Sequence, residues 1–187
     1  PETTSITVKK VWEDEGNRDG KRGVVVANAI LTKTVGDVVT DIATEPVGAG
    51  DNWSKTWNNL PVYENGTEIV YSVREELVTA NGYTGDTNAS VVVANGGTIT
   101  ITNTYENETT GITVKKSWDD NDDQDGKRAD VVANAILSKK VGEVVTDIKT
   151  EQVGTADDWS FTWSDLPVYE DGVEIVYSVR EELVDAN

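Results

Sequence analysis

Short runs in which apolar and polar residues alternate recur along the whole chain, and turn-forming residues separate them. Successive side chains of a β-strand point to opposite faces, so each run predicts a strand with one buried face. No run has a helical period. In the first part of the chain the pattern predicts strands at Thr4–Trp12, Val24–Lys33, Val38–Thr44, Trp53–Trp57, Glu68–Leu77, Ser90–Ala94 and Thr98–Tyr105. Short strands at this spacing are typical of an antiparallel β-sandwich.

Turn residues predict how these strands are connected. Residues 13–20 form a polar loop, and Val35-Gly36-Asp37 predicts a tight turn between the second and third strands. Leu60-Pro61 is expected to interrupt the chain after the fourth strand.

The sequence repeats itself at a fixed offset of 106 residues. Thr4–Asn81 aligns with Thr110–Asn187 without a gap, and roughly 70% of the aligned residues are identical. The period is too long for a solenoid repeat, so each copy is predicted to be a whole domain. We therefore expect an all-β chain of two tandem, Ig-like antiparallel β-sandwich domains, at residues 1–105 and 106–187, with Glu106–Thr110 as a short linker.

The second copy is expected to be truncated at its C-terminus. It ends at Asn187, so the equivalents of Gly82–Tyr105 are absent from it. It would then lack two strands, and another segment could supply the missing strand.

Three polar residues are in phase with buried apolar stripes: Lys10, Glu75 and Asn103. All three residue types are usually found at the surface. A buried lysine is costly unless it loses its proton or contacts a carboxylate, so the pattern indicates that the three side chains meet. The alternative is that the lysine extends to solvent, the glutamate is solvated and the asparagine caps a turn.

The composition restricts the chemistry further. The 187 residues include no Cys, His or Met, which excludes catalysis by a Ser–His or Cys–His pair and a zinc site built on thiolate or imidazole. We expect no cofactor and no metal. Asn121–Gly126 resembles the start of a calcium loop, but Val132 stands where that loop requires Glu, and a solvated acidic turn is favoured.

The formal net charge of −18 limits the partners of the chain. Such a surface repels nucleic acid and anionic lipids. No apolar run has the length of a membrane span, so neither nucleic-acid binding nor membrane insertion is expected.

Several motifs, in this order along the chain, resemble the CnaB-type domains of Gram-positive surface proteins. The motifs are KVW at Lys10–Trp12, YSVREEL at Tyr71–Leu77, ITNTY at Ile101–Tyr105, KSW at Lys116–Trp118, DNDDQDGKR at Asp120–Arg128 and WSFTWSDLPVYEDG at Trp159–Gly172. The resemblance covers nearly all of both copies. It implies a small β-sandwich that forms a spontaneous intramolecular isopeptide bond.

The resemblance also implies a role for each in-phase polar residue. Lys10 would supply the amine, Asn103 the carboxamide, and Glu75 would assist as an acid that hydrogen-bonds the Asn103 carbonyl. Lys116 and Glu181 are the equivalents in the second copy, and they have no acceptor asparagine there. The reaction would turn over once, so the chain is not expected to be an enzyme.

The resemblance implies stalk modules of a cell-wall-anchored surface adhesin, located outside the cell at its surface. The expected partners are neighbouring domains of the same protein, with host extracellular matrix contacted through a domain outside this chain. Two alternatives stay open: a module that itself binds a host protein or glycan, and a fragment of a pilin subunit.

Overall fold

The structure is a computed structural model that describes residues 1–86 and 96–186. Its regular structure consists of β-strands and four short 3₁₀ turns, and neither described range contains an α-helix. The all-β prediction is therefore confirmed. The chain forms two compact units: Pro1–Asn17 with Lys21–Glu106, and Arg18–Gly20 with Asn107–Asn187.

Unit 1 is a two-sheet sandwich. Its strands are β1 (Thr3–Glu13), β2 (Val26–Val35), β3 (Val38–Val47), β4 (Ser54–Pro61), β5 (Tyr63–Glu64), β6 (Thr67–Thr79) and β7 (Gly97–Thr104). One sheet has the order β3-β2-β6-β5 and the other the order β4-β1-β7. The predicted strand Ser90–Ala94 lies outside the described residues.

The core of unit 1 lies between these two sheets. Both sheets contribute the inward-facing residue of each alternating pair, and Val8, Leu31 and Val73 are each fully buried. The buried cluster consists of Ile6, Val8, Ala29, Leu31, Val47, Trp57, Ile69, Tyr71, Val73, Ile99 and Ile101. The burial pattern follows the predicted two-residue period, because burying apolar area favours one face of every strand.

β1 and β7 are neighbours that run parallel, whereas the other strand pairs of unit 1 are antiparallel. In this parallel pair Ile6 lies beside Gly97, and Trp12 lies beside Asn103. The two strands are far apart in sequence, so no hairpin constrains their direction. As a result the chain enters unit 1 at one end of this sheet and leaves it at the other.

The predicted strand ends need three corrections. Val24 belongs to a 3₁₀ turn, Arg22–Val24, and β2 begins at Val26. Trp53 precedes β4 in a left-handed conformation with a φ of 55°. Pro61 does not interrupt β4 but is its last residue, opposite Thr3 of β1, and the missing N–H of proline is tolerated because β4 is an edge strand.

A short hairpin between β5 and β6 is absent from the predicted strands. Asn65 and Gly66 form its turn with φ values of 50° and 80°. Asn-Gly with two positive φ values is the signature of a tight hairpin turn, so this dipeptide was the available signal.

Unit 2 repeats the sandwich over β8 (Thr109–Lys115), β9 (Val132–Val141), β10 (Val144–Val153), β11 (Ser160–Pro167), β12 (Tyr169–Glu170) and β13 (Val173–Asp185). Its sheets have the orders β10-β9-β13-β12 and β11-β8. Among the described residues of unit 2 no strand pairs with β8 on the side where β7 pairs with β1. β8 ends at Lys115, whereas β1 continues four residues past the equivalent Lys9 to Glu13.

Candidate functional site

Lys10, Glu75 and Asn103 come together inside unit 1, at one edge of the core. Lys10 extends from β1, Glu75 from β6 and Asn103 from β7, so both sheets contribute. The side chains of Lys10 and Glu75 are 1% and 4% exposed, and Asn103 is fully buried. Lys10 reaches Asn103 by extending along β7 past Ile101, its neighbour in the strand register.

The contacts place Glu75 between two nitrogen atoms. Lys10 Nζ contacts both Glu75 Oε1 and Asn103 Oδ1. Asn103 Nδ2 donates a hydrogen bond of 2.7 Å to Glu75 Oε2. The carboxyl group was expected at the Asn103 carbonyl and instead contacts its amide nitrogen. One carboxyl oxygen therefore touches the lysine amine, and the other touches the amide nitrogen.

Burial changes the protonation of the lysine. Removal from solvent lowers the pKa of Lys10, and this effect outweighs the opposing hydrogen bond and charge of Glu75. A lowered pKa makes the neutral amine, the nucleophilic form, more accessible at neutral pH.

Aromatic rings close the site. Lys10 Nζ lies 4.7 Å from the centroid of the Trp12 ring. Trp53 and Tyr83 pack edge-on against Trp12, with ring centroids 4.8 and 4.9 Å away. The Trp12–Tyr83 contact and the loop that carries Tyr83 were not among the sequence predictions.

The sequence did contain a signal for one contact beside the site, the pairing of Asp14 with Arg22. The loop after the first strand differs between the two copies at residues 15–18, yet Asp14 and the run Asp19–Arg22 recur as Asp120 and Asp125–Arg128. Both pairs form a two-pronged contact, and the Nε–Oδ2 distance is 3.0 Å in each. The recurrence of an acidic and a basic residue eight positions apart was the signal available in the sequence for this contact.

Unit 2 contains the amine and the acid in a more open arrangement. Lys116 Nζ lies 2.5 Å from Glu181 Oε1, and the side chains are 16% and 45% exposed. A cleft of about 320 Å³ lies beside them, lined in part by Val114, Ala133, Ala135, Val153 and Val179. Within residues 107–186 no asparagine contacts Lys116 as Asn103 contacts Lys10.

The acidic loop of unit 2 is held together by its own basic residue. Arg128 hydrogen-bonds the Asp120 carboxylate and thereby lowers the pKa of Asp120. The Asp123 N–H donates to the same carboxylate at 3.2 Å. The described residues contain no group of three or more His, Cys, Asp or Glu side chains arranged to hold a metal ion. They also contain no helix long and apolar enough to cross a membrane.

Two β-sandwiches in tandem, built from repeated sequence, define a class of repeat module, and unit 1 buries a lysine, a glutamate and an asparagine between its two sheets. The chain belongs to the family of Cna protein B-type domains, which matches residues 6–104 and 112–187. This confirms the resemblance noted in the sequence. The family consists of structural adhesin domains and not of enzymes.

The chain spans only part of the length of the two relatives compared with it. It is 36% identical over 184 residues to a collagen adhesin of Staphylococcus aureus, covering 98% of this chain and 14% of the relative. The crystal structure of two B repeat units of the collagen binding protein of Staphylococcus aureus matches with 34% identity and a TM-score of 0.74. That match covers 97% of this chain and 45% of the solved chain.

Proposed function

We propose that the chain is a pair of stalk domains, at residues 1–105 and 106–187, in a surface adhesin, and that a Lys10–Asn103 isopeptide bond stabilises the first domain. The observation that carries the proposal is the buried contact among Lys10, Glu75 and Asn103. The proposed location is outside the cell, at the cell wall, as suits a relative of surface adhesins.

In the proposed reaction the lysine nitrogen replaces the amide nitrogen of Asn103. Neutral Lys10 Nζ attacks Asn103 Cγ and forms a C–N bond. Glu75 accepts a proton from Nζ at one oxygen and delivers a proton to Asn103 Nδ2. The Cγ–Nδ2 bond then breaks, ammonia leaves, and Glu75 returns to its starting state. Folding supplies the effective concentration, because both reacting groups are fixed side by side in a dry core.

The bond would protect the domain against force along the stalk. β1 and β7 are parallel, so tension applied at the two ends of unit 1 shears this strand pair. With Lys10 bonded to Asn103, the tension passes through the bond and leaves residues 11–102 unloaded. A stalk that resists stretching is the function this arrangement suits best.

The name of the relative suggests a wider role. The staphylococcal relative is called a collagen adhesin. We propose that the protein containing this chain contacts host extracellular matrix through a domain outside it, and that its immediate partners are neighbouring domains.

The first prediction concerns intact mass. The purified chain should weigh one ammonia less than its sequence, because bond formation releases one ammonia. Digestion should give a branched peptide that joins Lys10 to Asn103, identified by fragmentation. The Lys10→Met variant is the control and should have its full sequence mass. A full mass for the unaltered chain, with a free Lys10 peptide, would contradict the proposal.

The second prediction concerns extension under force. When unit 1 is pulled from its ends, residues 11–102 should not extend in the unaltered chain. In Lys10→Met the same segment should unfold and add roughly 300 Å of length, at about 3.3 Å per residue. Single-molecule force spectroscopy measures this difference directly. Equal extension of the two proteins would exclude a protective bond.

A further inference from the structure

A second cluster of buried polar residues lies beside the proposed bond and is not part of its chemistry. Asp14 follows β1 and is 2% exposed, and Tyr83 is 4% exposed. Tyr83 Oη donates to Asp14 Oδ2 at 2.6 Å. Arg22 donates to the same carboxylate through Nε at 3.0 Å and through Nη2 at 2.6 Å. The Asn17 N–H donates to Asp14 Oδ1 at 2.9 Å.

These contacts satisfy both oxygens of Asp14 with charged or strong donors. Burial alone would raise the pKa of Asp14, but the hydrogen bonds from Arg22, Tyr83 and the Asn17 N–H outweigh it and leave the pKa below its usual value. Burial, together with the bond to Asp14, raises the pKa of Tyr83. The tyrosine therefore stays a donor and the aspartate an acceptor across the neutral pH range.

Tyr83 begins a short segment, Tyr83–Gly85, that lies against the reacting groups. Thr84 and Thr104 exchange backbone hydrogen bonds of 2.9 and 3.2 Å, which attaches the segment to the end of β7. The Thr84 carbonyl lies 3.4 Å from Asn103 Nδ2, the nitrogen that would leave. A Cβ added at Gly85 would lie 3.5 Å from Glu75 Oε2. The segment thus contacts the amide through Thr84 and passes next to the acid at Gly85.

Unit 2 offers an internal comparison. Asp120 retains its arginine partner there, but the described residues of unit 2 include no counterpart of Tyr83. The Asp120 side chain is 29% exposed against 1% for Asp14, and Glu181 is 45% exposed against 4% for Glu75. Among its described residues unit 2 lacks both a β7-like strand and a counterpart of Tyr83, and its arginine contact is not enough to bury Asp120 and Glu181.

We propose that Asp14, Arg22 and Tyr83 form a latch that holds Tyr83–Gly85 over the site and sets the rate of isopeptide formation by positioning Asn103 and Glu75. This inference rests on the proposed function, because the rate it concerns is that of the Lys10–Asn103 bond. Tyr83 and Asp14 are positioning residues and touch none of the reacting atoms.

The test compares two Tyr→Phe variants. Tyr83→Phe removes the hydroxyl that reaches Asp14. Tyr71→Phe is the matched control, because it removes an equally buried hydroxyl that donates to the Pro61 carbonyl at 2.7 Å in the same sandwich. A short pulse of cell-free synthesis, acid quenching at timed intervals and intact-mass measurement give the rate of ammonia loss. We expect Tyr83→Phe to slow it on the order of tenfold and Tyr71→Phe to leave it nearly unchanged.

A second measurement separates positioning from stability. Both Tyr→Phe changes are repeated in the Lys10→Met chain, which cannot form the bond, and unfolding is followed in denaturant. The latch is supported if the two variants lose similar amounts of stability and only Tyr83→Phe slows isopeptide formation. Arg22→Lys weakens the latch from its exposed side. It should slow isopeptide formation by a smaller factor than Tyr83→Phe does.

Each remaining outcome decides against the latch. Equal rates for Tyr83→Phe and the unaltered chain overturn it, with the proposed function intact. Equal slowing by Tyr71→Phe overturns it too, because general stability would then set the rate. If Tyr83→Phe does not fold, an unchanged rate in Arg22→Lys overturns it. A full sequence mass for the unaltered chain overturns both the proposed function and the latch.

Discussion

Replacing Glu75 with alanine should stop isopeptide formation, or slow it by about 10²- to 10⁴-fold, while the domain still folds. The carboxyl group contacts Lys10 Nζ with one oxygen and Asn103 Nδ2 with the other, so its loss removes the path for the proton. The measurement is intact mass over days, with circular dichroism to verify folding. Glu75→Gln keeps the shape of the side chain and should also fail, which separates proton transfer from packing.

The neighbouring residue provides the matched control. Glu76 is exposed and lies on the opposite face of β6, one residue from Glu75. Glu76→Ala should lose ammonia as completely as the unaltered chain does. If Glu76→Ala blocked the bond and Glu75→Ala did not, the face assignment of β6, and with it the proposed site, would be wrong.

The candidate triad could be predicted because each member obeys the simplest rule of a strand. Lys10, Glu75 and Asn103 each lie two residues beyond a buried apolar residue, and a two-residue period needs no knowledge of the partner strand. The prediction that they meet required one further step. A charge buried in an apolar core must have a partner, and the three residues were partners of the right kind.

The latch could not be predicted in the same way. Asp14 and Tyr83 lie in connections between strands, where no period relates a side chain to a face. Their contact depends on how two loops approach each other in space. The recurrence of Asp14 and Arg22 in both copies pointed to one half of it, and Tyr83 had no counterpart that could have drawn attention.

The alternation of apolar and polar residues also could not predict the direction of β7. Alternation fixes which residues of β7 face the core, but it is the same for a parallel and an antiparallel neighbour. The position of Pro61 shows the same limit. Proline excludes a central strand position, and only the sheet order shows that β4 lies at an edge.

Unit 2 is expected to couple covalently to a peptide that supplies the missing strand. A synthetic peptide with the sequence of residues 82–105 should dock beside β8 and couple to Lys116. The reason is that the β8 edge opposite β11, which has no partner strand among the described residues, and the cleft beside Lys116 match what β7 fills in unit 1. In unit 1 Ile101 of β7 lines the equivalent space, together with Lys10, Glu75 and residues of β2. The adduct should weigh the sum of protein and peptide less one ammonia.

Two controls isolate the chemistry of this coupling. A peptide with alanine in place of the asparagine equivalent to Asn103 should dock without coupling. The Lys116→Arg protein should give no adduct with either peptide. Docking itself should extend β8, because Lys10–Glu13 of unit 1 pair with β7 and not with β4. Amide exchange within residues 117–119 should therefore slow when the peptide binds, whereas the Lys116 N–H already donates to the Trp159 carbonyl.

The dependence of this coupling on peptide concentration separates docking from bond formation, which unit 1 cannot do because its acceptor belongs to the same fold. The coupling rate should saturate, since a docked complex precedes the covalent step. Glu181→Ala should lower the plateau by about 10²-fold or more and leave the half-saturating concentration nearly unchanged, because Glu181 acts on the proton and not on the β8 edge. No adduct, together with equal protease resistance of the two units, would show that unit 2 completes its core without a β7-like strand.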